Sequence, residues 1–307
     1  MNRWRDLLLL ACALFSAGAP ALAAERGVVV VTSARSADYD QAIAALADEL
    51  AHGGLPRGSL EVVAAADFPS RTELPPKLYV ALGSAAALAL TAAGNEAPRL
   101  YALLPRERFE QITAKRRRPA VSAIYLDQPF SRQLDLLRLA LPKARRVGVL
   151  WGPGSRPLAP ALAAAASPRG LQLIGATLAP GQPLYPALAQ VLDRTDALLA
   201  VADPLVYNGA TIENILLASF RAGVPLVAFS PAYVRAGALL ALYSTPAQIG
   251  AQAGRMARAT LQGRPLPAPQ YPAQFTVTAN RHVARALGLD LNAAALAARL
   301  QQMEHAP

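Results

Sequence analysis

Two loops carry the residues best suited to chemistry. Asp203-Pro204 follows an apolar run at 197–201, with Tyr207 and Asn208 just beyond it. Ser230-Pro231 and Tyr233 follow a second apolar run at 224–229. Between the runs, 208–222 is amphipathic and Gly223 closes it. This spacing predicts strand, helix, strand with a right-handed crossover. In such units ligands sit outside the carboxyl ends of the parallel strands. An acid, hydroxyls and aromatic rings can hydrogen-bond and stack. No nucleophile stands there with a base beside it, so the unit reads as built to hold a small molecule.

Other loops offer the same kind of group. Ser33, Ser36, Asp38 and Tyr39 follow the apolar run Val28–Thr32. Ser84 follows Leu78–Leu82 at a helix start, where free backbone N–H groups suit an anion such as a carboxylate. A plain helix cap is the competing role for Ser84. Tyr125 and Gln128 stand where the chain leaves its first half, and Ser155 follows Arg146–Trp151. Asp203 suits pairing with an ammonium group, or else Asp-Pro turn chemistry. Tyr207 suits stacking on a ligand, or else packing between lobes.

Other chemistries find little support. His52, His282 and His305 are isolated, so no metal constellation forms and no cofactor is expected. There is no phosphate-binding Gly-Lys loop and no Gly-x-Ser-x-Gly elbow. An exported hydrolase is the weaker alternative, because bases are scarce. The net charge of +10 raises nucleic acid as a partner, but the arginines are scattered. The one dense cluster, at 115–118, has no interleaved aromatics, so no nucleic-acid partner is expected.

The N-terminus reads as an export signal. Arg3 and Arg5 precede an apolar core at 7–17, and Ala21-Leu22-Ala23 is a small-residue cleavage pattern. Cleavage is expected after Ala23 or Ala24, which places the protein in the periplasm. The single cysteine, Cys12, lies inside this segment, preceded by only five apolar residues, too few for a lipoprotein signal. The expected mature chain has no disulfide and relies on core burial, which 307 residues permit.

The elements that must position these groups alternate. Continuous apolar runs at 28–32, 60–65, 78–82, 99–103 and 121–126 read as strands buried on both faces, with helical patterns between them. A second alternation follows, with strands at 146–151, 171–178, 197–201, 224–229, 238–242 and 275–279. Pro246–Leu261 is a long amphipathic helix, and 265–272 is proline-rich and extended. The fold class is α/β: two doubly wound Rossmann-like lobes. The expected division is a signal at 1–24, a first lobe of 25–127 plus 244–264, a second lobe of 128–243 plus 265–290, and a tail at 291–307.

Four stretches together resemble a known family. Ser122 to Pro129 leads through Arg132-Gln133-Leu134-Asp135 to Pro142-Lys143-Ala144-Arg145-Arg146-Val147-Gly148. The second is Arg221-Ala222-Gly223-Val224-Pro225-Leu226. The third is Val234-Arg235-Ala236-Gly237-Ala238 with Gln248 to Gly254. The last is Phe275 to Asn280 with Ala284 to Leu289. They resemble the ABC transporter substrate-binding proteins of the tryptophan/tyrosine type, over about residues 27 to 290. The resemblance implies a type I periplasmic binding architecture with three crossovers and a small polar organic ligand between the lobes. It implies an inner-membrane ABC permease as partner, or a sensor, and a monomer. In amino-acid binders of this kind, first-lobe hydroxyls and amides hold the carboxylate and a second-lobe acid holds the amine. Ser84 and Asp203 are the candidates for those roles. Sensing or envelope assembly without transport is the alternative use of this fold.

Overall fold

In the computed structural model, residues 27–54, 60–68, 76–94, 96–114 and 120–305 are described. The expected export signal and the basic cluster at 115–118 lie outside them. The first half alternates β1 (Val28–Thr32), α1 (Ala37–His52), β2 (Leu60–Ala64), β3 (Leu78–Leu82), α2 (Ser84–Ala92), β4 (Arg99–Leu104), α3 (Arg106–Thr113) and β5 (Val121–Tyr125). These strands form a parallel sheet in the order β2-β1-β3-β4-β5. The run Val-Val-Val-Val-Thr of β1 is buried on both faces, as β-branched residues at a sheet centre should be.

The second half contains α4 (Phe130–Ala140), β6 (Arg146–Trp151), α5 (Ala159–Ala166), β7 (Gln172–Thr177), α6 (Leu184–Leu192) and β8 (Ala197–Leu199). Then come α7 (Ile212–Arg221), β9 (Leu226–Ala228), α8 (Pro231–Ala236), β10 (Leu240–Tyr243), α9 (Pro246–Leu261), β11 (Thr276–Ala279), α10 (Arg281–Ala286) and α11 (Ala293–His305). Its sheet runs β11-β10-β9-β8-β6-β7, with β11 antiparallel at the edge. Counted from its own first strand, this is the strand order of the first sheet with one strand added. Each sheet is covered on both faces, giving four hydrophobic cores. The molecule is a two-lobed α/β protein of the type I periplasmic binding architecture.

The helix α9 returns to the first sheet and packs on α1. Thr245 and Gln248 form a capping box around Pro246, which starts the helix sharply after β10. Gly250 and Gly254 then let the two helices meet at their backbones. A Cβ at 250 would lie 2.1 Å from the Ala42 carbonyl oxygen, and one at 254 would lie 2.8 Å from that of Leu46.

Several strands are shorter or shifted relative to expectation, with β8 ending at Leu199, β9 spanning Leu226–Ala228 and β10 spanning Leu240–Tyr243. Two further shifts have a local cause. The amphipathic run at 208–222 becomes helical only from Ile212. Asn208 accepts a bond from the Ala210 amide at 2.9 Å and donates to the Pro204 carbonyl at 2.8 Å, so its side chain holds a turn instead. Strand β4 reaches Leu104, one residue past the expected end, through an irregularity. Leu103 has φ of 55° and the register to β5 shifts between Ala102 and Leu104. An αL leucine at the carboxyl end of a strand is a strained position.

Candidate functional site

In each sheet the first and third strands of its lobe are neighbours, β1 with β3 and β6 with β8. The chain leaves them toward opposite faces, which opens a crevice at the carboxyl ends. The first crevice holds Ser33, Tyr39 and Ser84. The Ser33 hydroxyl donates to the Leu82 carbonyl and accepts from the Ala86 amide, both at 2.9 Å. It thereby caps α2, whose own cap residue is Gly83 with φ of 85° and no side chain. A Cβ at 83 would lie 2.3 Å from the Tyr39 hydroxyl oxygen and 2.7 Å from Ser33 Oγ. Two hydroxyls thus converge over a glycine at a helix start. The amides of Ser84 and Ala85 have no intrahelical acceptor by geometry, so the α2 terminus points positive charge into this crevice. Ser84 itself is half-buried at the first helical position. Ser36 is spent as the cap of α1, accepting from the Tyr39 amide at 3.4 Å.

The second crevice is arranged differently. Asp203 is 3% exposed. Its Oδ2 accepts from the Ser155 amide at 2.8 Å and its Oδ1 from the Leu205 amide at 2.9 Å. The Asp203 carboxylate lies against Gly152, where a Cβ would sit 2.3 Å from Oδ1. Ser155 Oγ accepts from the Gly152 amide at 2.9 Å, which closes the loop after β6. Ser155 is therefore wholly buried, and its hydroxyl braces the acid's seat.

Beside Asp203 stands an aromatic group. Tyr207, Phe229 and Tyr233 lie with ring centroids 6.1, 5.1 and 6.5 Å apart, pair by pair. Tyr207 is buried, and among the described residues its hydroxyl oxygen meets no hydrogen-bond partner. Burial pushes its titration well up, with Tyr233 and the Asp203 charge adding to the effect. The Tyr233 hydroxyl donates to the Tyr207 carbonyl at 3.3 Å, and burial raises it too. Ser230 caps α8, accepting from the Ala232 amide at 3.2 Å.

Two further candidates sit where the lobes join. Tyr125 is buried against Phe109 at 5.8 Å and Tyr271 at 5.2 Å. The Gln128 amide is engaged on both sides: Nε2 donates to Ser244 Oγ at 2.8 Å, and Oε1 accepts from Arg132 at 2.6 Å. Gln128 therefore belongs to the connection between lobes.

Sequence reasoning passed over Glu107, Asp127 and Phe229. Glu107 lies in the first turn of α3. Its carboxyl is pushed up by burial first, then by the charges of Asp203 and Asp127. A first-lobe acid thus feels a second-lobe acid. Asp127 is raised by burial, partly offset by the Arg106 amide that donates to it at 2.6 Å. The available signal for Glu107 was Pro105, which starts a helix at the end of a strand and leaves its first turn at the crevice side. Among the described residues no group of His, Cys, Asp and Glu could hold a metal ion, and no helix is long and apolar enough to cross a membrane. The arrangement offers donors from one lobe and an acceptor with rings from the other.

Comparison with known proteins agrees with this fold. The family model described as ABC transporter substrate binding protein matches residues 71–301. No curated protein matches the chain. The ligand-free, open structure of CD0873, a substrate binding protein from Clostridium difficile, superposes with a TM-score of 0.72 at 18% identity, covering 87% of this chain and 96% of that one. A conserved domain protein from Vibrio cholerae gives 0.62 at 22% identity, covering 89% and 98%. The ABC domain from Streptococcus pneumonia in complex with L-Trp gives 0.59 at 16% identity, covering 88% and 97%. Members of this family are periplasmic or exported binding proteins that take a small molecule and work with a transporter permease or a sensor. Strand order, paired crevices and a family match over most of the length lead to one conclusion: the chain belongs to the ABC transporter substrate-binding protein family.

Proposed function

We propose that this protein is the periplasmic substrate-binding component of an ABC-type uptake system, and that it captures a small polar ligand of the amino-acid kind between its lobes. The observation that carries the reading is the pairing of unlike crevices. One presents the Tyr39 hydroxyl and the α2 amides, which suit a carboxylate, while Ser33 is spent on capping α2. The other presents Asp203 beside three aromatic rings, which suit an ammonium group and an apolar side chain. The L-Trp held by the fold neighbour from Streptococcus pneumonia is a ligand of that chemistry. In this reading Ser84 adds its amide and hydroxyl to the first half. Ser36, Ser155 and Ser230 shape the loops, and Tyr125 and Gln128 support the crossing.

The lobes divide at 127/128, 243/244 and 264/265 in this reading, and an N-terminal leader of about 24 residues is removed on export. The test is native mass spectrometry of protein purified without denaturation, followed by calorimetry with the retained molecule. A retained zwitterion that binds without conversion supports the reading. Steady turnover of that molecule, or retention of a purely anionic one insensitive to Asp203, overturns it.

A further inference from the structure

The connection between lobes contains a buried charge. Arg132 lies in the first turn of α4 and is 7% exposed. Its Nε and Nη2 clasp the Glu304 carboxylate, with Nη2 to Oε2 at 3.0 Å. Its Nη1 donates to Gln128 Oε1 at 2.6 Å and to the Pro272 carbonyl at 2.9 Å. The guanidinium carbon stands 4.6 Å from the centre of the Phe275 ring. From Gln128 the chain of bonds continues to Ser244 Oγ, which donates to the Gln274 carbonyl at 2.5 Å.

Each strand of chain that passes between the lobes has a member in this network. Gln128 represents the crossing from β5 to α4. Ser244 represents the crossing from β10 to α9. Pro272 and Gln274 represent the crossing from α9 to β11. The third crossing changes allegiance within two residues. Gln270 still pairs with β5 of the first lobe, its amide donating to Ala123 at 2.9 Å, whereas the Pro272 carbonyl binds the second-lobe helix α4. Closure must rotate the backbone at these positions. The anion that balances Arg132 comes from the last turn of α11, which also packs on the second-lobe core through Leu300.

We propose that α11 sets the angle between the lobes, with the Glu304–Arg132 pair as a brace that holds the three crossings in one relative geometry. A buried guanidinium stripped of its carboxylate must find new partners, and the nearest ones are the crossings themselves. Loss of the brace therefore changes the populations of open and closed forms, and ligand affinity with them, without touching the crevices. The effect on affinity rests on the proposed ligand-binding role; the effect on lobe angle does not.

The test is made without ligand. Spin labels at Leu88→Cys on α2 and Leu217→Cys on α7, both exposed positions in different lobes, report the interlobe distance by pulsed electron resonance. Cys12 is replaced so that it does not compete. Glu304→Gln is expected to displace the distance maximum or add a second one. Arg132→Lys, which keeps the charge and loses the two-pronged contact, is expected to do the same and serves if the first variant does not fold. Lower thermal stability with an unchanged distance distribution makes the pair a mere structural contact and overturns the proposal. A changed distribution supports the brace whether or not native mass spectrometry of the purified protein finds a retained zwitterion, which tests the binding reading separately.

Discussion

At the first crevice, two hydroxyls and a helix start face outward over Gly83. At the second, Asp203 has already taken two backbone amides and lies pressed against Gly152. The strand order beneath them is the same. The first lobe keeps the Tyr39 hydroxyl and the first α2 amides for a ligand, with Ser33 already bonded to Leu82 and Ala86, whereas the second satisfies its acceptor before any ligand arrives. An acid so held keeps its geometry, but it also carries part of the fold. Exchange of residues between the lobes should therefore trade binding for stability differently on the two sides.

The largest expected effect lies outside both crevices and breaks the first lobe alone. Gly250→Val places a side-chain carbon on the Ala42 carbonyl, and a backbone neighbour cannot swing aside as a flexible side chain can. We expect a loss of about 3 kcal/mol or more, read as early unfolding in urea. An unchanged midpoint would show that α1 and α9 can separate cheaply.

Asp203→Ala strikes the second lobe. It leaves the Ser155 and Leu205 amides without an acceptor in a buried loop. The expected cost is about 2–3 kcal/mol of stability, apart from any effect on ligand. The same stability as wild type would mean that water replaces the carboxylate and that the acid is free for a ligand alone. In the first lobe the split reverses. Tyr39→Phe should leave thermal stability unaltered and weaken ligand binding about tenfold, the worth of one bond to a charged group. Ser33→Ala should do both modestly, since its oxygen caps α2; about 1 kcal/mol of stability is expected.

The smallest effect is the pH response, and it separates the lobes by sign. Glu107 and Asp127 have folded pKa values above their ordinary ones, so their ionisation opposes folding. Stability from this side rises as pH falls through those raised values. Asp196, at the other end of the second sheet, is held down to about 2, first by the hydrogen bond from Arg146. Its contribution is present above the ordinary carboxylate range and is lost as pH falls from about 4 toward 2. The melting temperature should thus rise slightly on mild acidification and drop below it. Glu107→Gln should flatten the first limb, and Asp196→Asn the second.

Much of the frame was legible in the chain itself. Unbroken Val, Leu and Ala runs at 28–32 and 78–82 marked strands buried on both faces, because only a covered parallel sheet lets a strand dispense with a polar side. The run at 60–65, expected to be alike, carries Glu61 and forms the edge strand β2, which is covered only in part and leaves Val62 exposed. Caps such as Ser36 and the Thr245–Gln248 box act over three residues, and their meaning is local. The positions of chemically capable loops followed from the alternation alone. What each loop residue does was decided only by tertiary structure. Ser33 meets its amide 53 positions away, Asp203 meets Ser155 48 away, and Arg132 meets Glu304 172 away. The antiparallel course of β11 likewise depends on how the last crossing returns. A polar side chain near a crevice must be satisfied by something, and sequence spacing cannot say whether that is a ligand or its own fold. Desolvation forces a partner on it, but packing chooses which one.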